Sequence, residues 1–329
     1  MTTRRTLLTL LVTLVALFAP TLAPAGATPA QANPAPRGAE LISVTPVADR
    51  QVDLTVRSAA LGGRQVKVRL LTPDGWNPDD RSQHWPTLWL LHGCCGDYTS
   101  WTKATEVEDF PELRKVLVVM PEAGWNGWYS DWWNQGSNIG DNWETFHTVE
   151  LRQLLEKQFG ASPNRTVAGL SMGGQGALLY AARHPGMFRA AAAYSGSVHP
   201  LLAKESRDRL MRFFAHDGND PTNVWGDPVA QRDIWEAHDP YYIPQHLKST
   251  PVYLSVGNGQ PGPYDRPGSH DALEADFARQ NEALAARLRD LGAKNLTTNF
   301  YGPGQHKWAY WERELRASLP MLLDAMNVR

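Results

Sequence analysis

Gly169-Leu170-Ser171-Met172-Gly173 lies between an apolar run, Arg165-Thr166-Val167-Ala168, and a stretch of small residues. A serine hydroxyl is a weak nucleophile unless a turn exposes its Oγ and a base takes its proton. In a nucleophile elbow, a sharp turn between a strand and a helix exposes the serine, and small flanking residues let the backbones approach closely. The pattern predicts such an elbow, with Ser171 at its tip and a helix to about Arg183. The alternative interpretation is a glycine-rich turn that contains a serine.

Strands and helices alternate on both sides of this turn. Apolar or alternating runs predict strands at 41–47, 52–56, 66–71, 87–91, 116–120, 190–194, 252–256 and 296–301. Helical spacing of apolar residues or helix-favouring composition predicts helices at 143–159, 200–212, 273–291 and 308–326, and the polar stretch 217–240 is predicted to be a loop. The alternation predicts an α/β-hydrolase-like α/β fold with a mostly parallel central sheet and helices on both faces. The loops that follow the strands are expected to meet at one rim, where such sheets bind ligands.

Residues 1–32 have the pattern of a secretory signal peptide. Arg4 and Arg5 precede an apolar stretch that ends at Leu22, and small residues follow it. The stretch is short for a membrane span, so cleavage is favoured over anchoring. General and twin-arginine export both stay open. We expect a secreted or cell-envelope protein, with no integral membrane span after the signal is removed.

The rest of the chain is expected to comprise a flexible leader, 33–40, and a single domain, 41–329. Removal of Arg4 and Arg5 changes the formal net charge from −2 to −4, because the signal carries no other charged residue. There is no basic excess to favour nucleic acid as a partner. No zinc signature, EF-hand spacing or phosphate-binding glycine motif is present, so neither a metal nor a cofactor is expected.

The two cysteines, Cys94 and Cys95, are adjacent. Consecutive Cα atoms lie about 3.8 Å apart, below the usual range for a disulfide, so a vicinal bridge would be strained. An oxidising compartment nevertheless permits one, and the sequence leaves both states open. A cysteine nucleophile is a rival interpretation, which the more complete setting of the serine disfavours.

A serine nucleophile needs a base and an acid that orients the base, and in α/β-hydrolases the chain order is serine, acid, histidine. His306 lies beyond Ser171, in the glycine-rich loop that directly follows the last predicted strand, and is the predicted base. The acid is expected between Val256 and that strand. Four carboxylates qualify by position, and position alone does not choose among them: Asp265, Asp271, Glu274 and Asp276.

Two backbone N–H groups are expected to hold the oxyanion. One belongs to Met172, which follows the nucleophile, and the other to Cys94, in the glycine-bearing loop after the 87–91 strand. Aromatic residues also cluster in a polar setting, where they suit either core packing or contacts with a sugar ring or acyl chain: Trp125, Trp128, Tyr129, Trp132, Trp133 and Trp143.

Several segments together resemble the antigen 85 family of actinobacterial mycolyltransferases, within the esterase D-like α/β-hydrolases. The likeness extends across nearly the whole chain after the signal. The matching segments are Leu90-Leu91-His92-Gly93, Tyr129-Ser130-Asp131-Trp132, Trp143-Glu144-Thr145-Phe146, Gly169-Leu170-Ser171-Met172-Gly173-Gly174, Trp225-Gly226, Asp239-Pro240, Gly257-Asn258-Gly259, Leu273-Glu274 and His306-Lys307-Trp308-Ala309-Tyr310-Trp311.

The resemblance implies that the acid is Glu274, with Ser171 as nucleophile and His306 as base. It implies a serine acyltransferase that moves an acyl chain from an acyl ester or glycolipid to a sugar or glycerolipid hydroxyl. Asp131, His92 and Trp308 are the predicted substrate-binding residues.

One departure weakens the assignment of trehalose as acceptor. The family usually has Asp-Gly-Leu-Arg where this chain has His92-Gly93-Cys94-Cys95, so two sugar-binding groups are missing. The alternatives are a secreted carboxylesterase or lipid hydrolase, which releases the acyl group to water, and a non-catalytic surface binding protein on the same fold.

Overall fold

A computed structural model describes residues 38–80, 82–137 and 140–328. The predicted signal peptide, 1–32, lies outside the described residues, as does most of the predicted leader. The last three leader residues, 38–40, are described, and the first strand already begins at Glu40. Within the described ranges, no helix is both long and apolar enough to cross a membrane.

The described residues contain nine strands in one sheet. Their bounds are β1 Glu40–Ala48, β2 Gln51–Arg57, β3 Gln65–Leu71, β4 Trp85–Leu91, β5 Leu117–Pro121, β6 Ala161–Leu170, β7 Ala191–Tyr194, β8 Val252–Val256 and β9 Leu296–Phe300. The spatial order is β1-β2-β3-β5-β4-β6-β7-β8-β9. The first four strands in this order pair antiparallel and the remaining pairings are parallel, so the predicted mostly parallel sheet is confirmed.

The α-helices are α1 Ser100–Ala104, α2 Trp143–Thr145, α3 Arg152–Gln158, α4 Met172–Arg183, α5 Lys204–Phe214, α6 Thr222–Trp225, α7 Arg232–Ala237, α8 Ala272–Asp290 and α9 Trp308–Ala325. A π-helix, Phe146–Leu151, joins α2 to α3. Short 3₁₀ helices lie at Val107–Asp109, Pro111–Lys115, Asn134–Gly136, His216–Gly218 and Leu247–Ser249.

The prediction of a loop at 217–240 is wrong in part, because α6 and α7 lie there. Both helices are too short to produce a visible helical repeat of apolar residues. Each contributes a fully buried indole to the core, Trp225 and Trp235, whose rings meet edge to face at 5.3 Å. Tertiary packing of these two rings therefore stabilises helices that the local sequence does not signal.

Alternate residues of β4 point into opposite faces of the sheet. Leu88 and Leu90 belong to one buried apolar cluster, and Trp89 and Leu91 belong to another. Because side chains alternate along a strand, a run that is apolar at every position requires cover on both faces.

Core packing also explains most of the aromatic cluster, since Trp128, Tyr129, Trp132 and Trp143 are buried whereas Trp125 is half-exposed.

Two buried imidazoles should make the fold sensitive to acid. Burial lowers the pKa of His147 to about 3 and that of His238 to about 4, from an ordinary value of 6.5. The folded-state values are depressed, so the unfolded chain takes up these protons first, and stability is lost as the pH falls from 6.5 through 4 towards 3. We expect each imidazole to lower the free energy of unfolding by about 1.4 kcal/mol per pH unit in its window.

Urea unfolding at several pH values between 7 and 4 measures this slope. His147 contacts the hydroxyl of Tyr180 and the carbonyl of Glu122, at 2.7 and 2.8 Å. His147→Gln retains a polar side chain but does not titrate, so its slope should be smaller by about one proton. Equal slopes for the parent and the variant would contradict the prediction.

Candidate active site

Ser171 occupies a strained turn between β6 and α4. Its φ and ψ are 54° and −118°, which is unusual for a residue with a side chain. The Ser171 N–H donates to the Tyr194 carbonyl at 2.9 Å, which ties the turn to the end of β7. Glycines on both sides allow the turn: a Cβ at Gly169 would lie 2.2 Å from the Gly173 oxygen, and a Cβ at Gly173 would lie 2.4 Å from the Leu91 oxygen. This is the geometry of a nucleophile elbow.

His306 and Glu274 form a hydrogen-bonded pair beside this turn. Nδ1 of His306 lies 2.7 Å from Oε2 of Glu274, and the carboxylate is fully buried. His306 belongs to the loop between β9 and α9, whereas Glu274 lies in the first turn of α8. Because the carboxylate accepts the hydrogen on Nδ1, Nε2 is the nitrogen left to accept a proton.

The other three carboxylates that qualified by position have different partners. Asp271 caps α8 through the N–H groups of Leu273 and Glu274, and its Oδ2 accepts the His306 N–H at 3.0 Å. Asp265 binds the ammonium of Lys307 at 2.7 Å and accepts a hydrogen bond from the hydroxyl of Tyr310 at 2.6 Å.

Asp276, the last of the four, accepts hydrogen bonds from Ser206 and Arg279 on the other face of α8. Of the four candidates, Glu274 is therefore the carboxylate that contacts the imidazole.

A cavity of about 240 Å³ opens in front of the turn. Its wall brings together the elbow serine, the imidazole, both cysteines and two indoles: Gly93, Cys94, Cys95, Gly96, Ser100, Leu170, Ser171, His306, Trp308 and Trp311. These residues come from the carboxyl end of β6 and from the loops and helices that follow β4, β6 and β9, as expected for a site at the carboxyl ends of parallel strands. The arrangement can place an ester carbonyl against a serine hydroxyl with a base nearby.

Of the two residues predicted to donate to an oxyanion, Cys94 lines this cavity and Met172 directly follows the cavity residue Ser171. Met172 is the first residue of α4, and the N–H groups in the first turn of a helix have no intrahelical acceptor. Cys94 lies in the cavity wall, in a loop fixed by the hydrogen bond from Cys95 N–H to the Trp125 carbonyl at 2.9 Å. Gly93 permits the approach, because a Cβ there would lie 2.6 Å from Leu170 Cδ1.

The sulfur atoms of Cys94 and Cys95 lie 2.8 Å apart in this structure and are not joined by a disulfide bond. Cys95 adopts a left-handed backbone with φ of 67°. Both cysteines line the cavity, and Cys95 takes the position at which the family usually has the arginine of its sugar-binding pair.

The predicted substrate-binding residues separate into two groups. Trp308 lines the cavity, where its ring meets that of Trp311 at 5.3 Å. Asp131 is not in the cavity wall, and its carboxylate accepts hydrogen bonds from the N–H and hydroxyl of Thr145. Burial raises the pKa of Asp131 although these hydrogen bonds oppose it.

His92 is also absent from the cavity wall. The ring is buried, with Nε2 accepting the Ala123 N–H at 3.1 Å and Nδ1 lying 2.8 Å from the Gly93 carbonyl. The structure therefore gives His92 and Asp131 hydrogen-bond partners within the protein, and neither residue lines the cavity.

Sequence reasoning did not identify Asp271 as a residue that holds the site together. A signal was present, because an N-cap residue three positions before a glutamate resembles a capping box at the start of a helix. Ser195 contacts Glu274, and Trp311 contacts Ser195 and His306. These contacts have no comparable sequence signal, since they join distant segments.

Comparison with known proteins shows the family to which this chain belongs. The model of the family described as "Putative esterase" matches residues 58–322. The diacylglycerol acyltransferase/mycolyltransferase Ag85B of Mycolicibacterium smegmatis is 34% identical over 279 residues, covering 79% of this chain and 81% of that protein. The corresponding Ag85A protein of Mycobacterium ulcerans is 32% identical over 293 residues, covering 83% and 81%.

Solved structures share the fold. The crystal structure of Mycobacterium tuberculosis MPT51 has a TM-score of 0.69 at 24% identity and covers 86% of this chain and 100% of its own. A fluorophosphonate-binding serine hydrolase of Staphylococcus aureus has a TM-score of 0.64 at 19% identity, covering 83% and 98%. The α/β-hydrolase fold predicted from the sequence is thereby confirmed.

Proposed function

Because this chain belongs to the esterase family that includes the Ag85 mycolyltransferases, it is an enzyme of the acyltransferase and esterase class, and we propose that it transfers acyl chains through Ser171. The observation that carries the proposal is the contact of Glu274 with His306 at 2.7 Å, because His306 lines the same cavity as Ser171. The donor is an acyl ester or glycolipid. The acceptor is a sugar or glycerolipid hydroxyl; the glycerolipid acceptor is in keeping with the relatives' name, diacylglycerol acyltransferase.

In the first half of the reaction, Ser171 Oγ attacks the ester carbonyl while His306 Nε2 takes its proton. The carbon–oxygen bond to the donor alcohol then breaks, and the imidazolium returns the proton to that alcohol as it leaves. Glu274 holds the imidazole in the required tautomer and stabilises its positive charge. The product is an ester between Ser171 and the acyl chain.

The negative charge that develops on the carbonyl oxygen needs two donors. The Met172 amide is at the start of α4, where the helix dipole also favours negative charge. The amide of Cys94 approaches from the loop after β4. Donors that are already oriented before the reaction stabilise the transition state without further reorganisation.

In the second half, the acceptor hydroxyl gives its proton to His306 and attacks the acyl-enzyme, which restores the Ser171 hydroxyl. Water in place of the acceptor would make the protein a carboxylesterase or lipid hydrolase. The shape of the cavity decides between them by ordering one nucleophile and excluding the other. Trp308 and Trp311 offer apolar surface to an acyl chain or a sugar face there.

Export to the cell envelope or the medium is part of the proposal. It is supported by Arg4 and Arg5 before the apolar stretch and by the small residues that follow, which have the order of a secretory signal. An exported enzyme would meet envelope glycolipids as donors.

Capture of the acyl-enzyme tests the proposed reaction. After brief incubation with a synthetic acyl ester, the intact mass should rise by one acyl group, and peptide mapping should place it on Ser171. Addition of a sugar or a diacylglycerol should discharge the adduct faster than buffer alone and yield the acylated acceptor. If every acceptor discharged the adduct only at the rate seen in buffer, the protein would be a hydrolase and not a transferase. A non-catalytic binding protein would form no adduct at all.

A further inference from the structure

Ser195 is a buried serine that the proposed reaction does not use. It directly follows β7, is 1% exposed, and donates its backbone N–H to the Ser255 carbonyl at 2.7 Å. Its φ is 47°, in the left-handed region that favours glycine. A residue with a side chain is uncommon in this conformation, and such strain is concentrated at functional sites.

The Ser195 hydroxyl lies between an indole and the carboxylate of Glu274. Trp311 Nε1 donates to Ser195 Oγ at 3.0 Å, and Ser195 Oγ lies 2.8 Å from Oε1 of Glu274. An indole N–H can only donate, so Oγ must accept from it, and the single hydroxyl hydrogen is then directed at the carboxylate. The direction of both hydrogen bonds is therefore fixed by the chemistry of the groups.

The two oxygens of Glu274 have separate roles. Oε1 accepts from the Ser195 hydroxyl and from the Gly257 N–H at 2.7 Å, with the Tyr301 hydroxyl farther away at 3.3 Å. Oε2 lies 2.7 Å from Nδ1 of His306. A carboxylate held at one oxygen by two donors from different strand ends cannot rotate freely, so its other oxygen stays aimed at the imidazole.

Trp311 links the same chain of contacts to the imidazole itself. Its ring meets that of His306 edge to face at 4.7 Å while its N–H binds Ser195. Trp311 therefore restrains the His306 imidazole directly by ring packing. It restrains the Glu274 carboxylate indirectly, through its hydrogen bond to Ser195. Both restraints act on the relative orientation of Glu274 and His306.

We propose that Ser195 is a positioning residue, which fixes Oε1 of Glu274 so that Oε2 holds the His306 imidazole in its reactive orientation. This inference rests on the proposed roles of Ser171, Glu274 and His306. It explains why a serine occupies a position whose backbone suits glycine: glycine would relieve the strain but could not donate to the carboxylate.

Two substitutions separate this role from a purely structural one. Ser195→Gly removes the hydroxyl and suits the backbone, whereas Ser195→Ala removes the hydroxyl and keeps the strain. We expect both to lower kcat for a soluble ester by about 10²-fold, the scale of a small misplacement of a catalytic group, with KM little changed. The Tm of Ser195→Gly should be no lower than that of Ser195→Ala, so the loss of activity would not follow a loss of stability.

Proton NMR supplies a readout that does not require turnover. In a Ser171→Ala background, the His306 Nδ1–H should give a far-downfield resonance, identified by its loss in His306→Gln. We expect this resonance to shift or broaden in both Ser195 variants. Ser318→Ala is the matched control, because it removes a buried hydroxyl that contacts Tyr194 at 2.7 Å and not Glu274; its kcat and resonance should equal those of the parent.

A kcat within threefold of the parent in Ser195→Gly, or an unchanged resonance in a folded variant, would overturn the inference. Failure of the proposed function has a different signature, since a fluorophosphonate probe would then not label Ser171 in the parent. In that case the NMR comparison alone still decides whether Ser195 orients the Glu274–His306 pair.

Discussion

Replacement of Ser171 by alanine is expected to lower kcat for ester cleavage by about 10⁴- to 10⁶-fold, the loss seen when a serine nucleophile is removed from a hydrolase. The hydroxyl is the atom that forms the acyl-enzyme, and the remaining amides and imidazole cannot supply a substitute. Labelling by a fluorophosphonate probe should disappear with it. The substitution is small and the turn is preserved, so the Tm should change by only a few degrees.

The double variant Cys94→Ala/Cys95→Ala is the matched comparison. The proposed contribution of Cys94 is its backbone N–H, which alanine retains, so kcat should stay within about tenfold of the parent. Both thiols lie in the same cavity wall as Ser171. If the serine variant remained active and the cysteine variant did not, the nucleophile would be a thiol and the proposed mechanism would be wrong.

The sequence predicted the elements that depend on local patterns. β8 was predicted at its observed bounds, and α8 and α9 within one residue, because periodic or continuous apolar runs record which faces are buried. The elbow was predicted for a related reason, since the small residues around Ser171 reflect close backbone contacts. Helix α5 was predicted four residues early, and α6 and α7 were missed because short helices carry little periodic signal.

The catalytic residues could be predicted only as far as their order along the chain identifies them. The order of serine, acid and histidine left four carboxylates open, and resemblance to a family was needed to prefer Glu274. The structure adds the physical difference among them: Asp271 accepts backbone N–H groups, Asp265 faces Lys307, and Glu274 is the one that contacts His306.

Sequence patterns could not predict the contacts between residues that are far apart along the chain. Ser195 and Glu274 are 79 positions apart, and Trp311 and Ser195 are 116 apart, so no local motif relates them. The substrate-binding role of His92 stays a prediction; its ring is buried and accepts the Ala123 N–H.

Gly173→Ala is expected to produce a large loss of stability at the elbow. The new Cβ would lie 2.4 Å from the Leu91 oxygen and 2.5 Å from the His92 oxygen, distances that real Cβ atoms essentially never show. Both obstacles are backbone atoms at the end of the central strand β4, so neither can rotate away. We expect the free energy of unfolding to fall by at least about 3 kcal/mol, the upper end of ordinary overpacking.

The direction of this effect distinguishes packing from helix propensity. Gly173 is in the first turn of α4, and an exposed helical glycine replaced by alanine would gain up to about 1 kcal/mol. Thermal unfolding should instead show a Tm lower by at least about 6 °C for a domain of this size. Gly38→Ala is the control, since its Cβ would have no neighbour within 4 Å and should leave the Tm unchanged. A Gly173→Ala protein with the parent's Tm and activity would show that α4 does not approach β4 this closely, and the strained turn at Ser171 would lose its structural basis.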